Sequence, residues 1–164
     1  MTSYRRTRSA ILEGTKSRIT TVGLQRTNMI DIADTSQVSR ATLYNHFRDK
    51  ASVVRALIES EVDRIFQLID SDISPAEALL GISQAISSDP ALAMMRKTDS
   101  AILAQMLTQV EDPLWQQINA GLIRLLGDEN RSEIARFWLV GQVLQPLTSK
   151  QSREHARIIT SVVP

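Results

Sequence analysis

The densest functional chemistry in the chain lies in VSRATLYNHFRDK, residues 38–50, which carries hydroxyl, amide, imidazole, guanidinium and ammonium groups. Val38, Leu43 and Phe47 interrupt these polar side chains at a spacing that brings apolar groups to one side of a helix. A helix that is apolar on one side and rich in hydrogen-bond donors on the other is expected to be buried on the first side. The donors are then expected to meet a polar, anionic partner.

Basic residues concentrate in the same part of the chain. Residues 1–55 contain ten Lys and Arg against four acidic residues, a net charge of +6, whereas residues 56–164 carry a net charge of −5. A basic third joined to an acidic remainder predicts that one part of the protein binds a polyanion. The alternative is that these basic residues only solvate a surface.

Composition limits the classes of protein. Hydrophobic residues make up 43% of the 164 residues, which favours a packed core over wholesale disorder. Cysteine is absent and histidine occurs only as His46 and His155, so we expect no disulfide, no metal site and no cofactor. No long apolar run or signal sequence is seen, so we expect a cytoplasmic protein without membrane association. No nucleophile–base pair or phosphate-binding glycine loop is seen, so we do not expect an enzyme.

Helical patterns run throughout and strand patterns are nearly absent, so the predicted fold is all-α. Typical start signals support this, as in the pairs Asn28 with Asp31, Ser74 with Glu77, and Asn130 with Glu133. Gly23 is expected to end the first helix. The predicted helices cover residues 4–22, 28–35, 39–47, 49–71, 75–87, 90–96, 99–110, 113–127, 131–145 and 150–162.

The second and third of these helices are short and are joined by a tight turn at residues 36–38, behind a longer first helix. This order predicts a helix-turn-helix, in which the last helix enters the DNA major groove. Leu43 and Phe47 would then point inward. Inward positions are also expected for Ile30, Ile32 and Ala33, and outward positions for Arg40, Ala41, Tyr44 and Asn45.

The stretch TNMIDIADTSQVSRATLYNHFRDKASVVRALI resembles the DNA-binding domain of the TetR (tetracycline repressor) family of bacterial regulators. The resemblance covers roughly residues 5–58. Its most specific part is Leu43-Tyr44-x-His46-Phe47-x-x-Lys50, followed by an apolar helix start. Two residues depart from the usual pattern. Gln37 stands in the turn where glycine is frequent, and Met29 stands where a small hydroxyl residue is frequent.

The resemblance implies a three-helix DNA-binding domain at residues 1–50 and a helical regulatory and dimerisation domain at residues 51–164. It also implies a dimeric, sequence-specific transcriptional regulator that binds a palindromic double-stranded operator. A repressor released by a small apolar effector is the expected form. The alternative is a helical protein-interaction or ligand-binding module that no longer reads DNA.

Roles in DNA binding follow from the resemblance, position by position. Arg40 is expected to pair with guanine or with a phosphate, and Ala41 to touch a thymine methyl. Phosphate contacts are expected from Tyr44, His46 and Lys50, and base or phosphate contacts from Thr42 and Asn45. The alternative for Tyr44 is a cap on the domain core, and the alternative for His46 is an ordinary surface histidine.

The predicted helix 131–145 is apolar on all sides, in a domain too small to have a deep centre. One side is therefore expected to pack on a second copy, so that two helices from each subunit form a four-helix bundle. The residues assigned to this interface are Ile134, Phe137, Trp138, Gly141, Leu144 and Ile159. The alternative is a core helix of a monomer.

An effector pocket is the other expectation for the C-terminal part. Met adapts to irregular shapes and Trp offers a flat apolar wall, so these residue types suit a small apolar ligand. The candidate lining residues are Met94, Met95, Met106, Leu107, Trp115 and Ile118. The alternative is that they form ordinary core.

Overall fold

A computed structural model describes the chain at residues 3–69, 72–108 and 112–161. Within these ranges the chain forms ten α-helices and no strand, which confirms the predicted all-α fold. The helices are α1 (Ser3–Val22), α2 (Met29–Thr35), α3 (Arg40–His46), α4 (Lys50–Ile69), α5 (Pro75–Ser88), α6 (Pro90–Thr98), α7 (Ser100–Thr108), α8 (Pro113–Leu126), α9 (Glu129–Leu144) and α10 (Ser149–Thr160).

Helix ends follow the local capping signals closely. The Asn28 side chain accepts a hydrogen bond from Asp31 N, and Ser74 with Glu77 forms a complete capping box. The capping box predicted for Asn130 was wrong, because the Asp128 side chain caps α9 and starts that helix at Glu129. The predicted ends at residues 71, 110 and 162 lie outside the described residues.

The helices divide into two compact units. The first contains α1, α2, α3, α4 as far as Glu61, and α6 with the two residues that follow it. The second contains α4 from Val62 onward, α5 and α7 to α10. This division differs from the boundary expected after residue 50, since the first unit also takes in much of α4 and a helix from farther along the chain.

The first unit is built around α1, which packs against both α2 and α6. Arg18 of α1 pairs with Asp31 of α2 at 2.9 Å and ties the two helices together. Ile30 does not face inward as predicted, because 46% of its surface is exposed. Buried apolar residues of this unit are Ile11, Leu12, Ile19, Leu24, Ile32, Ala33, Leu43, Phe47, Val53, Ala56, Leu57, Ala91 and Met95.

The second unit has its own apolar core, formed by Leu79, Ile82, Leu122, Ala135, Leu139 and Ala156. A polar cluster lies beside it, where Ser83 Oγ donates to Gln142 Oε1 and shares a hydrogen bond with Ser152 Oγ. All three of these side chains are buried, and their mutual bonds offset the cost of removing them from water. Among the described residues, no helix combines the length and hydropathy that a membrane span requires.

Candidate nucleic-acid interface

The turn between α2 and α3 sets the direction in which α3 leaves. Ser36 N donates to Ile32 O at 2.9 Å and Val38 N donates to Ala33 O at 3.0 Å, so the chain reverses within a few residues. Gln37 has a φ of 55°, in the left-handed region, which costs a non-glycine residue about 1 kcal/mol. Gln37 therefore adopts the left-handed backbone conformation that glycine adopts more easily, and it does so at an energetic cost.

Ser39 caps the start of α3. Its Oγ accepts a hydrogen bond from Thr42 N at 3.0 Å and lies 2.8 Å from Thr42 Oγ1. The Thr42 hydroxyl, a predicted DNA contact, is therefore already hydrogen-bonded within the first turn of the helix.

The two faces of α3 separate as the sequence predicts. Leu43 is fully buried and Phe47 is 7% exposed, so these two residues anchor the helix on the core of the first unit. On the other side, 53% of the Tyr44 surface is exposed. Arg40, Ala41 and Asn45 are exposed as well. The α3 outer face, defined by Arg40, Ala41, Tyr44 and Asn45, is thus rigidly mounted and open to a partner.

The end of α3 is covered by the start of α1. The Tyr4 ring stacks on the His46 ring with centroids 4.2 Å apart, and the Arg8 guanidinium lies 5.6 Å from the centre of the Phe47 ring. Among the described residues, His46 Nδ1 is buried and has no hydrogen-bond partner. The basic start of α1 is therefore helical and lies beside α3.

Lys50 begins α4 beside the loop that joins α1 to α2. Its Nζ donates to Leu24 O at 3.2 Å and lies 3.5 Å from Gln25 O. An ammonium group has three N–H donors, so these two carbonyls leave one donor available.

Asp99 was not anticipated from the sequence, yet it contacts the same loop. It follows α6 and is only 3% exposed, and its carboxylate accepts hydrogen bonds from Leu24 N at 2.8 Å and Gln25 N at 3.0 Å. Burial raises the pKa of Asp99, but hydrogen bonds from Thr98, Gln25 and Leu24, with the charge of Lys50, outweigh burial and leave the pKa below its ordinary value. No local pattern marks an aspartate that acts on residues 75 positions away.

The N-terminal part of the chain matches a known protein family. Residues 11–57 match the model of a family described as bacterial regulatory proteins, tetR family. The N-terminal domain is a TetR-family domain. The match agrees with the expectation of a regulator rather than an enzyme, because the family consists of regulatory proteins.

One relative is the HTH-type transcriptional repressor KstR2 of Mycolicibacterium smegmatis, 34% identical over 67 residues. That similarity covers 38% of this chain and 33% of the relative, so the chain matches about a third of the relative's length.

Two solved structures share the fold over nearly the whole chain. The protein SCO7518 of Streptomyces coelicolor A3(2) has a TM-score of 0.67 and 17% identity, with 96% of this chain and 99% of that chain covered. A TetR transcriptional regulator of Streptococcus agalactiae has a TM-score of 0.60 and 14% identity, with 97% and 96% covered. At these identities the likeness concerns the fold alone.

Outside the TetR-family domain, the structure separates the six residues predicted to line an effector pocket. Met94 and Met95 lie in α6 of the first unit, where Met95 is buried. The second unit holds the others, all half-buried, which are Met106 and Leu107 of α7 with Trp115 and Ile118 of α8. An open surface depression of about 290 Å³ in the second unit is lined by none of the six, but by Gln84, Ser87, Ser88, Leu147, Thr148, Ser149 and Ser152.

The residues predicted to form a dimer interface divide into two sets. Ile134 and Phe137 of α9 are each 59% exposed, and Leu144 is 46% exposed. Trp138 and Ile159 instead pack against the apolar core of the second unit. An exposed apolar residue not anticipated from the sequence is Ile158 of α10, at 65%.

Proposed function

We propose that this protein is a homodimeric transcriptional regulator that binds a palindromic DNA operator and represses transcription. The α3 outer face carries this proposal. It presents a guanidinium, a methyl, a phenol and an amide from one helix whose other side is buried in a TetR-family domain. The net charge of +6 over residues 1–55 favours the approach of DNA to this part of the chain.

Base reading is assigned to the first turn of α3. Arg40 is exposed and suits the O6 and N7 acceptors of guanine, while Ala41 suits a thymine methyl. Asn45 lies one helical turn farther along, on the same outer face, and is assigned a base or phosphate contact. Because Leu43 and Phe47 fix the helix, these side chains can be placed without a large loss of conformational freedom.

Phosphate contacts are assigned to Tyr44, His46 and Lys50. A hydrogen on His46 Nδ1 would be buried without an acceptor, so the neutral ring carries its hydrogen on Nε2 and donates from there. Lys50 uses its third N–H for phosphate while the other two face the carbonyl groups of Leu24 and Gln25. Thr42 is a weaker candidate because Ser39 already engages its hydroxyl.

Dimerisation is assigned to the exposed apolar row Ile134, Phe137, Gly141 and Leu144, spaced three, four and three residues apart along α9. This spacing keeps the row on one side of the helix. Ile158 of α10 adds a further exposed apolar side chain in the same unit. Burying these groups against their copies in a second subunit would remove them from water.

An apolar effector, if it regulates the protein, is assigned to the part of the second unit that holds Met106, Leu107, Trp115 and Ile118. These residues are half-buried and so remain within reach of a ligand that displaces the packing around them. Met94 is half-buried in the first unit, and Met95 is assigned to the core there.

Selection of bound sequences from a random duplex pool tests the proposed function. Wild-type protein is expected to enrich a palindromic consensus, which would support both DNA reading and two-fold symmetry. A pool selected with Arg40→Ala should lose the preference at one base position in each half-site. Failure of the wild type to enrich any sequence would favour the alternative, a helical interaction or ligand-binding module that does not read DNA.

A further inference from the structure

Asp99 makes an unusually complete set of contacts for an acidic residue with no assigned role. Its N–H donates to Met95 O at 2.8 Å, which places it at the end of α6. One carboxylate oxygen accepts from Leu24 N at 2.8 Å and from Thr98 Oγ1 at 2.6 Å, and the other accepts from Gln25 N at 3.0 Å. Both oxygens of a buried carboxylate are therefore committed to one loop and to the preceding threonine.

The loop is shaped to admit this carboxylate. Gly23 has a φ of +86°, which L side chains rarely adopt. A Cβ at that position would also lie 2.5 Å from Asp99 Oδ2 and 2.3 Å from Thr98 Oγ1. Thr27 closes the loop from within, because its buried hydroxyl donates to Gly23 O at 2.7 Å.

Opposite charges lie on the two sides of the peptide group that joins Leu24 to Gln25, because its N–H donates to Asp99 and its carbonyl oxygen accepts from Lys50. Leu24 and Gln25 give their N–H groups to Asp99 and turn their carbonyl oxygens toward the ammonium group of Lys50. A peptide group held between an anion and a cation is polarised, and its hydrogen bonds strengthen each other. Asn28, the cap of α2, follows this loop directly, so the loop sets where the helix-turn-helix begins.

We propose that Asp99 is a positioning residue for operator binding, one that holds the 23–27 loop and, through it, both the start of α2 and the ammonium group of Lys50. Asp99 does not touch DNA in this proposal. It fixes the groups that do, from a segment outside residues 11–57, the part matched by the family model. The inference rests on the proposed function for its effect on DNA, but the loop contacts can be tested without DNA.

Asp99→Asn is the informative substitution. An amide of the same shape offers one acceptor oxygen and turns an NH₂ group toward one of the two backbone N–H groups. In the protein without DNA, amide hydrogen exchange at Leu24 and Gln25 should accelerate by roughly 10–100-fold, as expected for loss of a hydrogen bond to a charged group. Thr98→Val keeps the carboxylate but removes one of its donors, so it should give a smaller acceleration of the same exchange. It replaces Asp99→Asn as the test variant if Asp99→Asn folds poorly.

Operator affinity gives the second measurement. Asp99→Asn should bind the selected operator about tenfold more weakly. The slope of log affinity against log salt concentration should also fall by roughly one phosphate contact, because Lys50 loses its fixed position. Glu154→Gln, which removes a negative charge from an exposed position of α10, is the matched control and should change neither measurement.

The outcomes separate the two proposals. Unchanged exchange at Leu24 and Gln25 in both variants would overturn the positioning role, whether or not the protein binds DNA. Faster exchange with unchanged operator affinity would overturn it too, because the loop would then not matter for binding. If the wild type binds no duplex while exchange responds as expected, the proposed function fails and the loop contacts stand.

Discussion

Gly14→Ala probes the support that α1 gives to the turn between α2 and α3. A Cβ at residue 14 would lie 2.2 Å from Ser36 Oγ and 2.9 Å from both the Cα and the N of Ser36. The hydroxyl can rotate away, but the backbone atoms must retreat by roughly half an ångström to reach an ordinary contact distance of about 3.5 Å. Overpacking of this kind costs about 1–3 kcal/mol.

Helix propensity acts in the opposite direction. Replacing a helical glycine by alanine returns roughly 0.5–1 kcal/mol. The free energy of unfolding of the first unit should therefore fall by about 1–2 kcal/mol. Gly141→Ala is the matched control, since no atom beyond its own stretch of α9 lies within 4 Å of its added Cβ, and it should stabilise α9 by up to about 1 kcal/mol. Because Gly141 belongs to the proposed dimer row, both glycine variants are compared in the Phe137→Glu background, which is expected to be monomeric.

Urea unfolding can assign each effect to its unit. Trp115 and Trp138 both belong to the second unit, so tryptophan fluorescence follows that unit, whereas circular dichroism follows all the helices. Gly14→Ala should lower the circular dichroism midpoint more than the fluorescence midpoint. If Gly14→Ala and Gly141→Ala both stabilised the protein, the close approach of α1 to the turn would be refuted.

Three further predictions concern DNA, assembly and pH. Arg40→Ala should reduce the favourable free energy of binding to the selected operator by about 1–3 kcal/mol and relax one base position. Lys50→Ala should weaken binding to all duplexes about equally, as measured by titration at several salt concentrations. Equal weakening of every sequence by Arg40→Ala would contradict base reading. Phe137→Glu should convert a dimer to a helical monomer in sedimentation while Asn130→Glu, on the same helix, should not; an unchanged dimer would move the interface elsewhere. The pKa of Asp99 is lowered in the folded protein, so ionised Asp99 stabilises the first unit at pH values above the ordinary carboxyl pKa of about 4. This contribution is lost as the pH falls through the lower pKa of the folded protein. Asp99→Asn should therefore flatten the acid side of a plot of unfolding free energy against pH.

Local signals account for most of what could be predicted. Caps such as Asn28 and Ser74 satisfy backbone groups within three residues, so they act before any tertiary contact forms, and they place helix starts to within two residues. The burial of Leu43 and the exposure of Arg40 follow from helical periodicity in the same way. The predicted cap at Asn130 failed because Asp128, two residues earlier, already caps α9 by accepting a hydrogen bond from Arg131 N, which places Asn130 inside the helix.

The sequence by itself determined the helices, their order and the α3 outer face, because each depends on neighbours within a turn or two of the chain. Tertiary structure alone decided that α6 joins the first unit, that Ile30 is exposed, and that Met94 and Trp115 belong to different units. It also decided the contacts of Asp99. Those contacts join residues 75 and 74 positions apart, and no periodicity or capping pattern encodes a partner at that separation.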